Sequence, residues 1–234
     1  KPDLICVTGD ITQNSRKANF DLAKRFLDKL IGNGCKNIIV IPGNHDAYTP
    51  RGRSLKNFTT VLGRDLEPSA HIEINGKDVI CLGVDTTESY YFLNTRGKFR
   101  KKSRENLEYR IENYKTSLGK NRVKNALKIL LVHHHPISTP VIDRFESTLY
   151  FKNAGDFLTW AFKEQVDLVL HGHQHDPILY TLDSDVGPGG DAIPILSAGT
   201  ATKITKKDEG RPLSLHTHFY SILVYDDRFL VSFN

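Results

Sequence analysis

Histidine residues in this sequence are concentrated where short apolar runs end. Four such runs are Leu4–Thr8, Ile38–Ile41, Ile129–Val132 and Val166–Leu170, and seven of the ten histidines lie in the polar segments that follow the last three of them. The polar segments after the runs are Gly9-Asp10, Pro42-Gly43-Asn44-His45-Asp46, His133-His134-His135-Pro136 and His171-Gly172-His173-Gln174-His175-Asp176. Carboxylate, amide and imidazole groups, without a thiolate, are ligands that suit Mn, Fe, Zn or Ni. The pattern therefore predicts a site for divalent or trivalent metal ions.

The same ligand types favour chemistry at phosphorus. One carboxylate can bridge two metal ions, and a separation of about 3.5–4 Å between the ions suits an in-line displacement. Gly9, Gly43 and Gly172 stand beside the candidate ligands and permit sharp turns and the close approach of a substrate. A lone histidine such as His71 or His216 is better explained as structural. The four clusters together favour metal-assisted displacement at phosphorus.

The elements that position these segments alternate between strands and helices. Asp3–Thr8 is typical of a buried strand, and Phe20–Ile31 is typical of an amphipathic helix that Gly32-Asn33-Gly34 ends. Asn37–Ile41 is typical of a second strand, so this order predicts a βαβ unit with parallel strands. In α/β sheets, ligands bind beyond the carboxyl ends of the strands. The four polar segments are therefore expected to converge.

Further elements continue the pattern toward the C-terminus. Asn75-Gly76 is typical of a tight hairpin turn between His71–Ile74 and Lys77–Val84. The remaining predicted helices are Ser103–Leu118 and Ala154–Phe162, and the remaining strands are Ala126–Val132, Val166–Leu170, Ile193–Leu196, Tyr220–Tyr225 and Phe229–Phe233. Helix-linked strands followed by antiparallel strands predict an α/β fold with mixed sheets. No linker composition interrupts the chain, so we expect a single domain over residues 1–234.

Composition narrows the class of protein. The chain is 39% hydrophobic and 25% charged, which is ordinary for a globular domain. No apolar run approaches the roughly 20 residues of a transmembrane helix. Cys6, Cys35 and Cys81 lie in or beside apolar segments, so we expect packed, reduced thiols and a cytoplasmic protein.

The positive charge is unevenly distributed. The formal net charge is +5, but residues 96–128 alone contain 12 Lys and Arg against 3 Glu. Such a basic insert is typical of a solvated face, or it attracts an anionic substrate or a nucleic acid. Exposed aromatic residues are not interleaved with the charges, so nucleic-acid binding is the minor alternative.

The ordered blocks resemble a known family. Gly9-Asp10, Gly43-Asn44-His45-Asp46, His134-His135-Pro136 and Gly172-His173-Gln174-His175 are similar to the motifs of the calcineurin-like metallophosphoesterases, and most similar to the bacterial class III cyclic-nucleotide phosphodiesterase branch. The resemblance spans about seven tenths of the chain. It implies two mixed β-sheets sandwiched by helices in a four-layer αββα arrangement.

The resemblance also implies roles for individual residues. Asp10 would bridge two metal ions, and Asn44, His134 and His173 would complete the shell of the second ion. His175 would bind the first ion. His45 would contact the phosphoryl oxygen or the leaving group and would be oriented by Asp46. His134 is preferred to its two histidine neighbours because the family's ligand stands two residues before the proline.

The sequence departs from the family at its start. The family's Asp-x-His motif, which supplies two ligands to the first metal ion, has no counterpart here, and the chain has no Met. We expect the chain to be N-terminally incomplete and to lack the strand that carries this motif. The alternative is a member with a degenerate metal site.

The implied activity is metal-dependent hydrolysis of a phosphoester by a metal-bridging hydroxide. A small phosphodiester such as a cyclic nucleotide is the favoured substrate. A nuclease and a phospholipid-headgroup phosphoesterase are alternatives on the same site. A non-catalytic scaffold would fit the missing motif, but the later motifs are intact. The sequence does not set the oligomeric state.

Overall fold

The computed structural model describes residues 1–49, 52–53, 55–88, 95–138, 151–175, 177–183, 192–199, 203–204, 215–216, 219–225 and 229–233. The helices are α1 (Lys17–Gly32), α2 (Lys56–Thr60), α3 (Lys101–Leu118), α4 (Lys120–Asn125) and α5 (Ala154–Lys163). The strands are β1 (Leu4–Val7), β2 (Asn37–Val40), β3 (Tyr48–Thr49), β4 (Gly52–Arg53), β5 (Ser69–Ile74), β6 (Lys77–Gly83), β7 (Leu127–Val132), β8 (Leu168–His171), β9 (Pro177–Asp183), β10 (Ala192–Ala198), β11 (Lys203–Ile204), β12 (Leu215–His216), β13 (Tyr220–Val224) and β14 (Phe229–Phe233). The predicted α/β class is confirmed.

The largest sheet is mixed and has six strands in the order β5-β6-β7-β8-β10-β9. The pairs β6–β7, β7–β8 and β8–β10 are parallel, and the two outer pairs are antiparallel. The predicted hairpin turn is confirmed, because Asn75 and Gly76 both have positive φ between the paired residues Ile74 and Lys77. Strand β9 was not predicted; it alternates between exposed and half-buried residues, as an edge strand with one solvated face does.

The predicted βαβ unit is also present. Strands β1 and β2 pair in parallel, with Leu4 opposite Asn37 and Val7 opposite Val40. Helix α1 connects them and begins at Lys17, three residues before the predicted start. The last predicted strands form the antiparallel pair β13–β14.

Three apolar cores stack these elements into layers. One core lies between the six-stranded sheet and helices α3, α4 and α5. A second joins the opposite face of that sheet to β1, β2, β13 and β14, and a third joins β1 and β2 to α1 and α2. Cys6, Cys35 and Cys81 are free thiols in or beside these cores, as predicted. Among the described residues, no helix combines the length and apolar character needed to cross a membrane.

A charged network ties the β5–β6 hairpin to α4. The Asp78 carboxylate accepts hydrogen bonds from Arg122 Nε at 2.9 Å and Arg122 Nη2 at 2.6 Å, and His71 Nε2 lies 2.7 Å away. These hydrogen bonds from Arg122, with that from His71, lower the pKa of Asp78 to about 2. Since the unfolded value is about 3.9, the stabilisation is present above about pH 4 and is lost as the pH falls toward about 2.

Arg122→Ala should lower the free energy of unfolding at neutral pH, but only modestly, because Arg122 is half exposed and its pair with Asp78 is partly screened by solvent. Urea unfolding at about pH 7 and about pH 3 would measure this difference, which should shrink at the lower pH. Lys24→Ala, which removes an exposed pair on α1, is the control and should cost only a few tenths of a kcal/mol. A difference that stays constant with pH would contradict the role assigned to Asp78.

Candidate metal centre

Four polar side chains meet where β1, β2, β7 and β8 end. The amide oxygen of Asn44 lies 2.9 Å from His133 Nε2 and 2.9 Å from His173 Nδ1. The two imidazole nitrogens are 3.2 Å apart. The Asp10 carboxylate lies 3.4 Å from His133 Nε2. The strand ends therefore converge, as the sequence predicts.

The hydrogen bonds of His133 decide which of its nitrogens faces this cluster. Its Nδ1 lies 2.8 Å from the Thr8 carbonyl, which can only accept, so Nδ1 carries the proton. In the neutral ring Nε2 is then a lone-pair nitrogen that faces the oxygen of Asn44. Two acceptors at this distance require a cation between them, either a proton or a metal ion. His173 Nε2 is also buried and has no hydrogen-bond partner among the described residues.

The cluster fits a metal ion by its donor set and its spacing. Ligands about 2.0–2.2 Å from an ion and at right angles to one another lie about 3 Å apart. The separations between Asn44 Oδ1, His133 Nε2 and His173 Nδ1 match this spacing. One amide oxygen, two imidazoles and a carboxylate suit Mn, Fe, Zn or Ni.

The backbone around Asp10 is shaped to present its carboxylate. Gly9 and Asp10 both have positive φ, so the chain turns sharply after β1. A Cβ on Gly43 would collide with Asp10, so the loop after β2 can approach only because this residue is a glycine. The backbone N–H of His45 donates to Asp10 Oδ1 at 2.9 Å. The two loops therefore fix the carboxylate together.

The electrostatics of the cluster favour a bound cation. Burial opposes ionisation of Asp10, but His133 and His45 outweigh it and lower the pKa of Asp10 to about 2. Burial alone would lower the pKa of His133, yet Asp10 and the Thr8 carbonyl raise it. Burial and the neighbouring histidines hold the pKa of His173 well below its usual value, so its ring is neutral and can bind a metal.

Asp46 binds backbone groups of the two loops that follow β1 and β2. Its buried carboxylate accepts hydrogen bonds from the backbone N–H groups of Ile11, Thr12 and Gly43 and from the Thr12 hydroxyl. Burial and the nearby Asp10 charge raise the pKa of Asp46 to about 6. Asp46 therefore joins the loops after β1 and β2, and its expected role in orienting the His45 ring stays a prediction.

The half-buried His45 ring is hydrogen-bonded to the backbone of Gln13. His45 Nδ1 donates to the Gln13 carbonyl at 2.8 Å. The proton on Nδ1 is thereby fixed, and Nε2 is the ring nitrogen left to exchange a proton at the site. The backbone N–H of His45, and not its ring, makes the hydrogen bond to Asp10.

His134 lies beside the cluster but makes other contacts. It belongs with His133 and His173 to a group whose ligand atoms lie within 4.8 Å of one another. Its Nε2 lies 2.8 Å from the Thr95 carbonyl, and its Nδ1 lies 2.7 Å from the Thr86 hydroxyl. Both ring nitrogens are therefore engaged, and the contacts favour His133 over His134 as the ligand; the role of His134 stays a prediction.

The other histidines of the motifs lie around the cluster. His175 is exposed, and within the described residues no hydrogen bond joins it to the cluster, so its role as a ligand also stays a prediction. His135 stacks on His173 with ring centroids 5.9 Å apart. Burial lowers the pKa of His135 and of His171 to about 4. At neutral pH these two rings are uncharged, so they add no positive charge around the cluster.

The family of the chain follows from its sequence together with this site. The family model described as calcineurin-like phosphoesterase matches residues 1–177, which include all four motif segments. The chain belongs to this family. Membership indicates metal-dependent hydrolysis of a phosphoester, and hence a hydrolase. No protein of curated function matches the sequence.

Several solved structures are similar to this family member. GAP50, described as the anchor in the inner membrane complex of Plasmodium, is 12% identical with a TM-score of 0.48, over 90% of this chain and 67% of that one. Vacuolar Protein Sorting 29 from Cryptosporidium parvum is 14% identical with a TM-score of 0.35, over 100% and 81%. A putative 5'-nucleotidase from Staphylococcus aureus is 12% identical with a TM-score of 0.34, over 92% and 52%. At these scores the likenesses carry no argument about function.

Proposed function

We propose that this phosphoesterase cleaves phosphodiesters at a dinuclear metal centre. The observation that carries the proposal is the meeting of Asn44 Oδ1, His133 Nε2 and His173 Nδ1 beside the Asp10 carboxylate. A neutral His173 ring, the Nε2 of His133 and an ionised carboxylate within one buried pocket are groups that can bind a divalent ion. An isolated structural histidine would not require three such groups.

The residues would divide between two ions. Asn44, His133 and His173 would hold one ion, and the carboxylate of Asp10 would lie between it and a second. His175 would bind the second ion, as the resemblance of its motif to the family implies. When bound, the ions would supply an activated water molecule and neutralise charge on the phosphoryl oxygens.

The protein's own groups would complete the reaction. Asp10 is ionised at neutral pH because of its low pKa, so its carboxylate can bind a metal cation without first releasing a proton. The His45 ring, held through Nδ1 by Gln13, presents Nε2 as a proton donor to the leaving oxygen. Asp46 would act as a positioning residue that holds both loops in place.

The substrate class is tested by comparing esters. The Mn-reconstituted protein would be assayed with bis-p-nitrophenyl phosphate, p-nitrophenyl phosphate, cyclic AMP and single-stranded DNA. The proposal expects faster cleavage of the diester than of the monoester, with cyclic AMP favoured through the class III resemblance alone. Preference for the monoester would overturn the diester proposal, and salt-sensitive DNA cleavage would favour a nuclease.

His45→Ala should lower turnover by about a hundredfold or more while metal content stays unchanged. Alanine keeps the backbone N–H that donates to Asp10, so the carboxylate should stay in place. The loss should be larger for an alkyl leaving group than for p-nitrophenolate, which needs less protonation. Metal analysis of the purified variant would measure the first effect. Turnover of one ester with an alkyl leaving group and of one with a p-nitrophenolate leaving group would measure the second.

Two outcomes would contradict this role. Loss of metal from the His45→Ala variant would make the ring a ligand rather than a proton donor. An equal loss of turnover for both leaving groups would remove it from proton transfer. Gln13→Ala, which removes only side-chain atoms and keeps the carbonyl that holds His45, is the matched control and should stay near the wild-type rate.

A further inference from the structure

Half of the twelve basic side chains of segment 96–128 form ion pairs with carboxylates in the described part of the chain. These pairs are Arg100–Asp85, Lys101–Glu105, Arg104–Glu108, Arg110–Asp65, Lys115–Glu112 and Arg122–Asp78. Such pairs reduce the field that this segment projects into solvent. Lys98, Lys102, Lys120, Lys124 and Lys128 form no ion pair with a carboxylate in the described part of the chain.

Lys120, Lys124 and Lys128 line one cleft between α3, α4, β7 and the end of α5, together with Lys115 and Lys163. The cleft has a volume of about 420 Å³, within the range of about 300–1,000 Å³ found for ligand sites. Its charged lining residues are Lys115, Lys120, Lys124, Lys128, Lys163, Glu112 and Glu164. Glu112 is already paired with Lys115 at 3.3 Å. Lys120, Lys124, Lys128 and Lys163 outnumber the remaining carboxylate, Glu164, so the cleft has a net positive charge that favours an anion.

Lys120, Lys124 and Lys163 are the exposed members of this lysine cleft. None of the three forms an ion pair with a carboxylate among the described residues. Lys120 and Lys124 are four residues apart on α4, so they share one face of that helix. Lys163 reaches the cleft from the last turn of α5. Two separate helices thus direct ammonium groups at one space.

Lys128 forms the buried part of the cleft. The residue is only 5% exposed, and its Nζ donates to the Gln165 carbonyl at 3.3 Å. Its backbone N–H donates to the Asp167 carboxylate at 2.7 Å, which fixes the strand. An ammonium group has three N–H donors, and a buried charge needs partners for all of them.

The balance of charges around Lys128 also favours an incoming anion. Burial lowers the pKa of the Lys128 ammonium, Asp167 and Glu164 oppose that shift, and Lys115 and Lys77 add to it. A bound anion would stabilise the charged form of Lys128. Because Lys128 is buried, the attraction between its ammonium group and the anion would be stronger than in water.

The lysine cleft is separate from the candidate metal centre. Lys128 is the second residue of β7, and His133 follows the carboxyl end of that strand. Five residues of extended strand span roughly 17 Å. The two sites therefore lie at opposite ends of strand β7, the cleft near its amino end and the metal centre beyond its carboxyl end.

We propose that the lysine cleft is a second anion-binding site for a ligand that carries phosphate groups. Lysine ammonium groups act as point charges toward phosphate, and the cleft has room for more than one phosphate. The phosphate group is either inorganic phosphate or part of a nucleotide, and labelling in the presence of each separates the two.

Lysine acetylation read by mass spectrometry tests the site residue by residue. The Mn-loaded protein would be labelled with and without inorganic phosphate, and with and without ADP. Lys120, Lys124 and Lys163 should be protected at least about fivefold by one of these ligands, while exposed Lys98 and Lys102 should not. Protection by phosphate identifies an inorganic ligand, and protection by ADP alone identifies a nucleotide.

A pair of variants makes the result decisive. Lys120→Ala/Lys124→Ala should weaken binding of the protecting ligand about tenfold or more, whereas Lys98→Ala/Lys102→Ala, with the same loss of charge, should not. Protection should persist in Asp10→Asn, which separates this site from the metal centre. No protection, equal protection of Lys98 and Lys102, or protection that disappears with Asp10 would overturn the proposal.

Discussion

Asp10→Asn should abolish paired metal binding and lower phosphoester hydrolysis by at least about a thousandfold. The carboxylate is the only anionic group that contacts His133 among the described residues, and its charge raises the pKa of that ring. An amide keeps the shape but removes the charge that draws a cation into the pocket. Metal analysis and turnover with bis-p-nitrophenyl phosphate would measure both losses.

The control for this change is Asp28→Asn. Asp28 lies on the exposed face of α1, where it pairs with Lys24 at 3.2 Å, and its amide variant should keep metal and activity. If Asp10→Asn retained its metal ions, the carboxylate would not lie between them. Circular dichroism of both variants would show that the fold is kept.

His133→Ala and His134→Ala should behave differently although the two residues are adjacent. His133→Ala should lose metal and lower turnover by about a hundredfold or more, because Nε2 faces Asn44 and Asp10. His134→Ala should keep its metal and stay within about tenfold of the wild-type rate, because its nitrogens bind Thr86 and Thr95. Metal content and turnover would be measured for both variants.

The opposite result is equally informative. Metal loss in His134→Ala, with metal retained in His133→Ala, would restore the ligand implied by the spacing to Pro136. It would also mean that the Thr86 and Thr95 contacts are exchanged when an ion binds. The two variants have the same composition change, so each serves as the control for the other.

The strand pattern contained the information that separates these two histidines. In β7, alternation of the side chains places Ile129 and Leu131 in the core shared with β1 and β2, whereas Leu130 and Val132 face the helices. Continuing this period of two places His133 on the side of Asp10 and Asn44. The family spacing to Pro136 favours His134 instead, and three consecutive histidines make that spacing ambiguous by one residue.

Other features of the fold could be predicted because they depend on local patterns. The βαβ unit and the Asn75-Gly76 hairpin follow from periodicity and turn chemistry. Strand β9 was missed because it is an edge strand with few buried side chains and begins at a proline.

Side-chain partners that come from distant segments could not be predicted in the same way. Gln13 holds His45 from a loop 32 residues away, and Asp46 binds backbone N–H groups 34 and 35 residues away. Neither contact leaves a periodic trace in the sequence. The lysine cleft likewise forms only when α4 and the end of α5 meet beside Lys128.

Anomalous diffraction from crystals of the Mn-loaded protein is the most direct test of a metal centre at the strand ends. We expect a strong peak bounded by Asn44 Oδ1, His133 Nε2 and His173, with the Asp10 carboxylate between it and a second peak. After full Mn loading, the absence of a peak at these side chains, or peaks only elsewhere on the surface, would contradict a metal centre at the strand ends.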